Sequence, residues 1–321
     1  MSKIDHLKAI AELLEDRHFS YNQKKVQDQI KLQLHRIVIT LQNQTGQNYI
    51  FKYLLIDTPK TRALFKREID VLKKIESISE SLFSANKVIE DGEKPMPWII
   101  MTYVKGNITG NTFEFNENIL DNQFIEFLGK AIPYIALLSQ TKANQTIINS
   151  NKLSLEKLMA RASNHTILSL YSNKISQLYQ KNIDFISDPK YYCWAHGDFS
   201  PLNILKNGEN YSVIDWESFD HNLVVFEPAY IYERMWKTPD KQELFYKKIF
   251  SQYLNSNLKF LFDFQILIML LIDIFTFDLM LEQRRPKIFH NQFDFTKIEL
   301  EEKRKLYLEK YVKILKEGIE Y

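Results

Sequence analysis

Residues 191–205 read YYCWAHGDFSPLNIL, and after an Asn207-Gly208 pair the chain resumes at 211–217 as YSVIDWE. Among the polar residues that interrupt the apolar runs are Asp198, Asn203 and Asp215. Asn-Gly between two apolar runs is the strongest short-range signal of a β-hairpin, so 203–205 and 211–214 read as its two strands. The two ends of a hairpin lie side by side. Asn203 opens the first strand and Asp215 closes the second, so both can face one cavity. A carboxamide oxygen and a carboxylate are hard donors that suit Mg²⁺, an ion that keeps few protein ligands beside water and phosphate oxygens. Asp198 sits on the loop just before, with a carboxylate able to accept the proton of an attacking hydroxyl, a contribution typically of about 10²–10⁴-fold.

Upstream, 37–41 (IVITL) and 49–55 (YIFKYLL) are β-rich runs joined by the turn NQTGQ, 43–47. Residues 61–75 place Leu64, Ile69, Leu72 and Ile75 at helical spacing, and 98–104 (WIIMTYV) is a continuous apolar strand. Lys52 stands in an otherwise apolar strand, and Glu68 follows on the helix. Phosphoryl transfer asks for positioning and charge more than for covalent chemistry. A lysine held by a glutamate can set its ammonium against the α- and β-phosphates of a nucleotide.

The chain has 321 residues, 42 Lys and Arg against 40 Asp and Glu, and one cysteine, Cys193. Nearly balanced charge without a long basic run argues against a duplex-DNA or anionic-membrane protein, so neither nucleic acid nor membrane is expected as a partner. A single cysteine forms no internal disulfide and fits a reducing compartment. The start, MSKIDHLKAIAELLEDRH, spaces Ile4, Leu7, Ile10, Leu13 and Leu14 on one helical face without the apolar run of a signal peptide. Cytoplasm is the expected location. Residues 264–281 (FQILIMLLIDIFTFDLML) are about long enough to span a bilayer. Their apolar side chains favour insertion by roughly 4–8 kcal/mol and Asp273 with Asp278 oppose it by roughly 5–7, so a buried helix is the better reading.

The remainder reads as helices at 118–140, with a kink at Pro133, and at 153–179, 241–254 and 299–316. The last is amphipathic through Leu300, Leu306, Tyr307, Tyr311 and Leu315. His196 reads as a loop brace and Cys193 as a small core residue. Tyr230, Tyr232 and Trp236 read as core aromatics before an aromatic wall for a cation, and Asp273 with Asp278 as helix-surface or junction residues. Glu217 has two readings, contact with metal-bound water or pairing with a neighbouring cation.

H-G-D-x-x-x-x-N from His196 to Asn203, followed by I-D-W-E from Ile214 to Glu217, resembles the aminoglycoside phosphotransferase and choline kinase-like family, relatives of the protein kinases. The similarity runs from about Leu32 to about Trp236. It implies an α+β, bilobal protein kinase-like fold, with a small β-sheet nucleotide-binding lobe (1–103) and a larger, mainly helical catalytic and acceptor-binding lobe (104–321). It implies ATP and Mg²⁺ as cofactors and a hydroxyl of a small molecule as acceptor: a sugar, an amino alcohol, an aminoglycoside or a similar compound. Asp198 is then the base, Asn203 and Asp215 the metal ligands, and Lys52 with Glu68 the phosphate contact. Met101, Thr102, Tyr103 and Val104 resemble the hinge that receives adenine through backbone hydrogen bonds. The oligomeric state is not legible.

Two departures from the family pattern stand out. Of eight glycines the first is Gly46, so the phosphate-covering loop expected around 28–36 (DQIKLQLHR) has none. Side chains such as Lys31 or Arg36 replace its backbone contacts, or the grip on phosphate is weak, or the bend lies elsewhere. Relatives often continue after the I-D-W-E segment toward a D-P-x-x-D-like segment, whereas this chain reads FEPAYIYERMW, 226–236. The absent glycines keep a second reading open, a pseudokinase that binds nucleotide for regulation without transfer.

Overall fold

A computed structural model describes residues 2–31, 34–78, 81–282 and 296–317. The chain forms two compact units. One comprises Met1–Asn107 with Asn203–Phe219, and the other Ile108–Leu202 with Asp220–Tyr321.

The first unit is built on an antiparallel five-stranded sheet. In chain order its elements are α1 (Lys3–Glu15), β1 (Ser20–Tyr21), α2 (Gln23–Lys31), β2 (Arg36–Gln42), β3 (Asn48–Leu54), α3 (Pro59–Glu76), β4 (Val88–Gly92) and β5 (Trp98–Thr102). The strand order is β1-β2-β3-β5-β4. Successive side chains on a strand point to opposite faces, and the sequence uses both. Ile37, Ile39, Leu41, Phe51, Tyr53, Trp98 and Ile100 form one core with Ile10, Leu13 and Leu14 of α1 and Val26 and Ile30 of α2. Ile4, grouped with that face by its spacing, is instead 76% exposed on the first turn. The alternate positions, among them Arg36 and Lys52, serve the other face, where α3 lies. Thr58 caps α3 through its side chain, and Pro59 begins it.

The segment expected to be a phosphate-covering loop is partly helix. Residues 28–31 belong to α2, while 32 and 33 lie outside the described residues. Val26 and Ile30, four apart, bury one face of α2. The Gln29 side chain both donates to Val38 O and accepts from Val38 N, each at 2.8 Å. It pairs with the main chain of β2 much as a neighbouring strand would.

Short strands β6 (Asn107–Ile108), β7 (Gly110–Asn111) and β8 (Glu114–Phe115) come next, then α4 (Asn122–Ala136), α5 (Gln145–Ser163), α6 (Ser172–Ser187) and β9 (Tyr192–Ala195). The hairpin β10 (Ile204–Asn207) and β11 (Asn210–Val213) belongs to the first unit. Gly208, at φ +62°, takes the first of its two loop positions. Then follow β12 (Asp220–Leu223), α7 (Phe226–Arg234), α8 (Pro239–Gln252), α9 (Lys259–Leu281) and α10 (Lys297–Glu317).

Three helical expectations are corrected here. Asp121 accepts from Phe124 N at 2.7 Å, so α4 starts after it, and Pro133 falls in the helix's last turn instead of kinking a longer one. The run 153–179 is broken: α5 ends at Ser163, where Asn164 N turns back to Arg161 O, and His165 Nδ1 accepts from Ile167 N and Leu168 N at the start of a short 3₁₀ turn before α6. On α10 the buried face uses Leu308, while Leu306 is 37% exposed. Helix α9 is apolar and long enough to cross a membrane, yet 72% of its most apolar window is buried inside the structure. It is the core helix of the second unit, packed against α7 and α10.

Candidate active site

In the first unit, Val38 stands opposite Lys52 and Arg36 opposite Leu54, so Arg36 and Lys52 share a sheet face, two positions apart in register. Lys52 is 4% exposed, and its Nζ lies 2.6 Å from Glu68 Oε1 on α3 and 2.6 Å from Asp215 Oδ1. Burial works against the ammonium, but the two carboxylates outweigh it and hold Lys52 above its ordinary pKa. Burial also pushes Glu68 up, against the pull of Lys52.

The hairpin delivers the other groups. Ile204 pairs with Val213, and Ile214 N donates to Asn203 O at 2.9 Å, so Asn203 and Asp215 stand at the same end of the hairpin, as the Asn-Gly signal implied. Asp215 adopts φ 62° and ψ 62°, left-handed backbone that Asp tolerates better than most residues. Around it the chain is pinned. Trp216 is fully buried, donates to Val213 O at 3.0 Å and stacks on Phe83. Arg67 of α3 donates to Phe219 O, and Arg36 pairs with Glu217. The cation-pairing reading of Glu217 is thus the one seen. Arg36 was legible as a phosphate cation but not as this partner.

Of the residues expected to form the hinge, Met101 is buried between β3 and β4. Thr102 N donates to Lys87 O and Thr102 O accepts from Asn86 Nδ2, each at 2.9 Å. Tyr103 and Val104 follow the strand end.

The second unit carries Asp198. His196 is fully buried and its Nδ1 accepts from Asp198 N at 3.3 Å, the bracing role expected of it. Gly197, at φ +82°, takes a conformation that disfavours any side chain. Its N–H donates to Glu227 Oε1 at 2.7 Å. Burial pushes Glu227 up to about 8, with Asp198 adding to the rise. The Glu-Pro that departs from the family pattern therefore holds the loop's main chain through the Glu227 carboxyl. Thr109, also buried, ties down Pro201 O through both its N–H and its hydroxyl.

Tyr230 places its hydroxyl 3.4 Å from Asp198 Oδ1, a relation the sequence did not signal. Asp273, read as a helix-surface or junction residue, takes the junction role: it is 3% exposed on α9 and bonds both terminal guanidinium nitrogens of Arg234 on α7. Burial raises Asp273 to about 6, while Asp273 lifts Arg234 well above its ordinary value. Asp278 pairs with Arg304 and His165. Cys193 meets Tyr253 at 3.3 Å, and burial pushes its thiol up to about 11, which fits a core residue and no nucleophile.

The donor set suits the ion expected of it. Among the described residues no group of three or more His, Cys, Asp or Glu could hold a metal. One carboxamide and one carboxylate at a hairpin end suit Mg²⁺, whose remaining positions go to water and phosphate.

The model of the phosphotransferase enzyme family matches residues 40–261. The chain belongs to the phosphotransferase enzyme family. Among solved structures this phosphotransferase is similar to a wild-type aminoglycoside 2′-phosphotransferase in complex with GDP, at 13% identity and TM-score 0.56, covering 97% of this chain and 98% of that one. It is similar to a macrolide 2′-phosphotransferase from Brachybacterium faecium at 10% identity and TM-score 0.54, covering 99% and 100%. An amicoumacin kinase in complex with AMP-PNP, Ca²⁺ and Ami matches at 11% identity and TM-score 0.56, covering 86% and 85%. No curated protein matches the phosphotransferase. The likenesses establish the protein kinase-like fold, with a small antiparallel sheet in the N-terminal part and a helical C-terminal part.

Proposed function

We propose that this phosphotransferase is an ATP-dependent small-molecule kinase that moves the γ-phosphoryl group to a hydroxyl of a sugar, amino alcohol, aminoglycoside or similar acceptor. The observation that carries the reading is Lys52 held at 2.6 Å by both Glu68 and Asp215. An ammonium locked there is positioned before the nucleotide arrives, and such preorganised charge is what phosphoryl transfer needs. Mg²⁺, held by Asn203 and Asp215, supplies charge neutralisation on the phosphates when bound. Asp198 accepts the proton of the acceptor hydroxyl. Thr102 has both main-chain groups engaged, so Tyr103 and Val104 are the better main-chain partners for adenine. The similar structures in complex with GDP, or with AMP-PNP, Ca²⁺ and Ami, support a nucleotide donor and a small-molecule acceptor. We place the reaction in the cytoplasm, where a lone cysteine stays reduced.

The helix α2, standing where a glycine-rich loop was expected, favours a second reading as a nucleotide-binding module without transfer. Incubation with Mg·ATP and a panel of hydroxyl acceptors separates the two. Phosphorylated product is expected, and Asp198→Ala should lower turnover about a hundredfold or more with ATP still bound. Unchanged turnover in that variant would remove the mechanism.

A further inference from the structure

Helix α7 meets the loop that carries Asp198 at two positions one turn apart. Glu227 accepts from Gly197 N at 2.7 Å, and the Tyr230 hydroxyl lies 3.4 Å from Asp198 Oδ1. Residues three apart on a helix share a face, so one rigid element touches both the main chain and the carboxylate of the loop. One turn further along stands Arg234. Its guanidinium lies 4.4 Å from the centroid of the Tyr230 ring, and its two terminal nitrogens reach Asp273 at 2.6 and 3.0 Å.

We infer that Tyr230 is a positioning residue, holding Oδ1 of Asp198 through its hydroxyl while the buried Arg234–Asp273 pair carries its ring. The inference rests on the reading of Asp198 as the base.

The direction of the hydrogen bond follows from the groups. Burial raises the Tyr230 phenol well above its ordinary value, so it keeps its proton. A guanidinium offers donors and no acceptor, so Arg234 cannot receive that proton, and Asp198 can. The separation is longer than a settled O–H···O bond, and hydrogen bonds at catalytic groups are often long until substrate is bound.

The ion pair beneath the ring also needs a reason. Arg234 and Asp273 are each 3% exposed, and buried pairs of this kind are often replaced by apolar residues without loss of stability. Stability alone does not account for it. A planar cation fixed from below by α9 and stacked against an aromatic ring gives a defined place to that ring. This chain of contacts, from Asp273 through Arg234 and Tyr230 to Asp198, lies wholly within the second unit.

The test uses the full chain and reads ADP release from Mg·ATP. Tyr230→Phe keeps the ring and removes the hydroxyl. It should lower kcat about tenfold or more with KM for Mg·ATP within about twofold. In an Asp198→Asn background the same substitution should change kcat less than about twofold, because the group it positions is gone. Replacing the pair together, Arg234→Met with Asp273→Leu, should keep the melting temperature and still lower kcat. Tyr230→Phe with wild-type kcat, an equal fold-loss in both backgrounds, or a pair replacement with wild-type kcat would each overturn the proposal while leaving the kinase reading intact. A wild-type chain that releases no ADP and binds no Mg·ATP would overturn both.

Discussion

The ammonium of Lys52 lies 2.6 Å from Glu68 on one side and 2.6 Å from Asp215 on the other. Glu68 is 2% exposed, so it depends on Lys52 for its charge to be tolerated. Breaking a buried pair by removing one partner costs roughly 3–5 kcal/mol, whereas replacing both by apolar groups is often near neutral. Lys52→Met should therefore lower stability by about that amount in urea unfolding, and adding Glu68→Met should restore most of it. Phosphoryl transfer should be lost in both, by about a hundredfold or more. Stability recovering while activity does not would separate the structural from the catalytic use of the pair. Activity returning with stability would refute that separation.

Glu227 gives the second unit a pH signature. Burial lifts its pKa from 4.5 to about 8 in the folded chain. The native state thus binds more protons than the unfolded state between those values. The contribution is fully present below the unfolded value and is lost as pH rises through about 8. The loss is on the order of several kcal/mol. Glu227→Gln keeps an oxygen for Gly197 N–H and carries no titrating group. Between pH 5 and 9 its melting temperature should fall less than that of the wild type, a difference that thermal scans at stepped pH would read. Parallel curves would show that Glu227 is ionised throughout.

Much of the first unit was legible because its signals are local. The β2–β3 hairpin, the helix carrying Glu68 and the Asn-Gly turn each follow from periodicity or turn chemistry within about a dozen residues. What the sequence hid is fixed at long range. Arg234 meets Asp273 across 39 positions, and Tyr230 meets Asp198 across 32. The break between α5 and α6 includes a histidine ring that accepts the first N–H groups of a 3₁₀ turn, for which pattern gives no warning. Helix α2 was missed for a related reason: Val26 and Ile30 alone make a thin apolar stripe, and the sheet against which they pack supplies the rest.

Charge in the first unit predicts a metal dependence. Arg36 and Lys52 face Glu68, Asp215 and Glu217, two cations against three carboxylates. This cluster, net negative, repels a polyphosphate. Divalent cation and nucleotide should therefore bind together. Mg·ATP at about a hundred times its Kd should stabilise the chain by about 2.7 kcal/mol, and ATP with excess EDTA should give a small fraction of that shift. Glu217→Gln removes one of the carboxylates and should narrow the difference between the two conditions. Equal shifts with and without EDTA would place the nucleotide away from this cluster.

Gln29 decides whether α2 is a fixed cover or a passenger. Its amide makes two 2.8 Å bonds with Val38, whose neighbour across the sheet is Lys52. Gln29→Ala leaves Val38 N–H and C=O to water and should cost about 1–3 kcal/mol of stability. Gln29→Glu keeps the acceptor for Val38 N–H but sets a carboxylate against Val38 O, so it should fall between the two or below alanine. If α2 takes the place of a glycine-rich loop over the phosphates, loosening it should raise KM for Mg·ATP more than it lowers kcat. Amide exchange at Val38, measured with and without Mg·ATP, supplies the independent reading. Protection that is lost in Gln29→Ala and regained on adding nucleotide would tie α2 to the phosphates. Protection lost in both conditions, with KM unchanged, would make it a packing element alone.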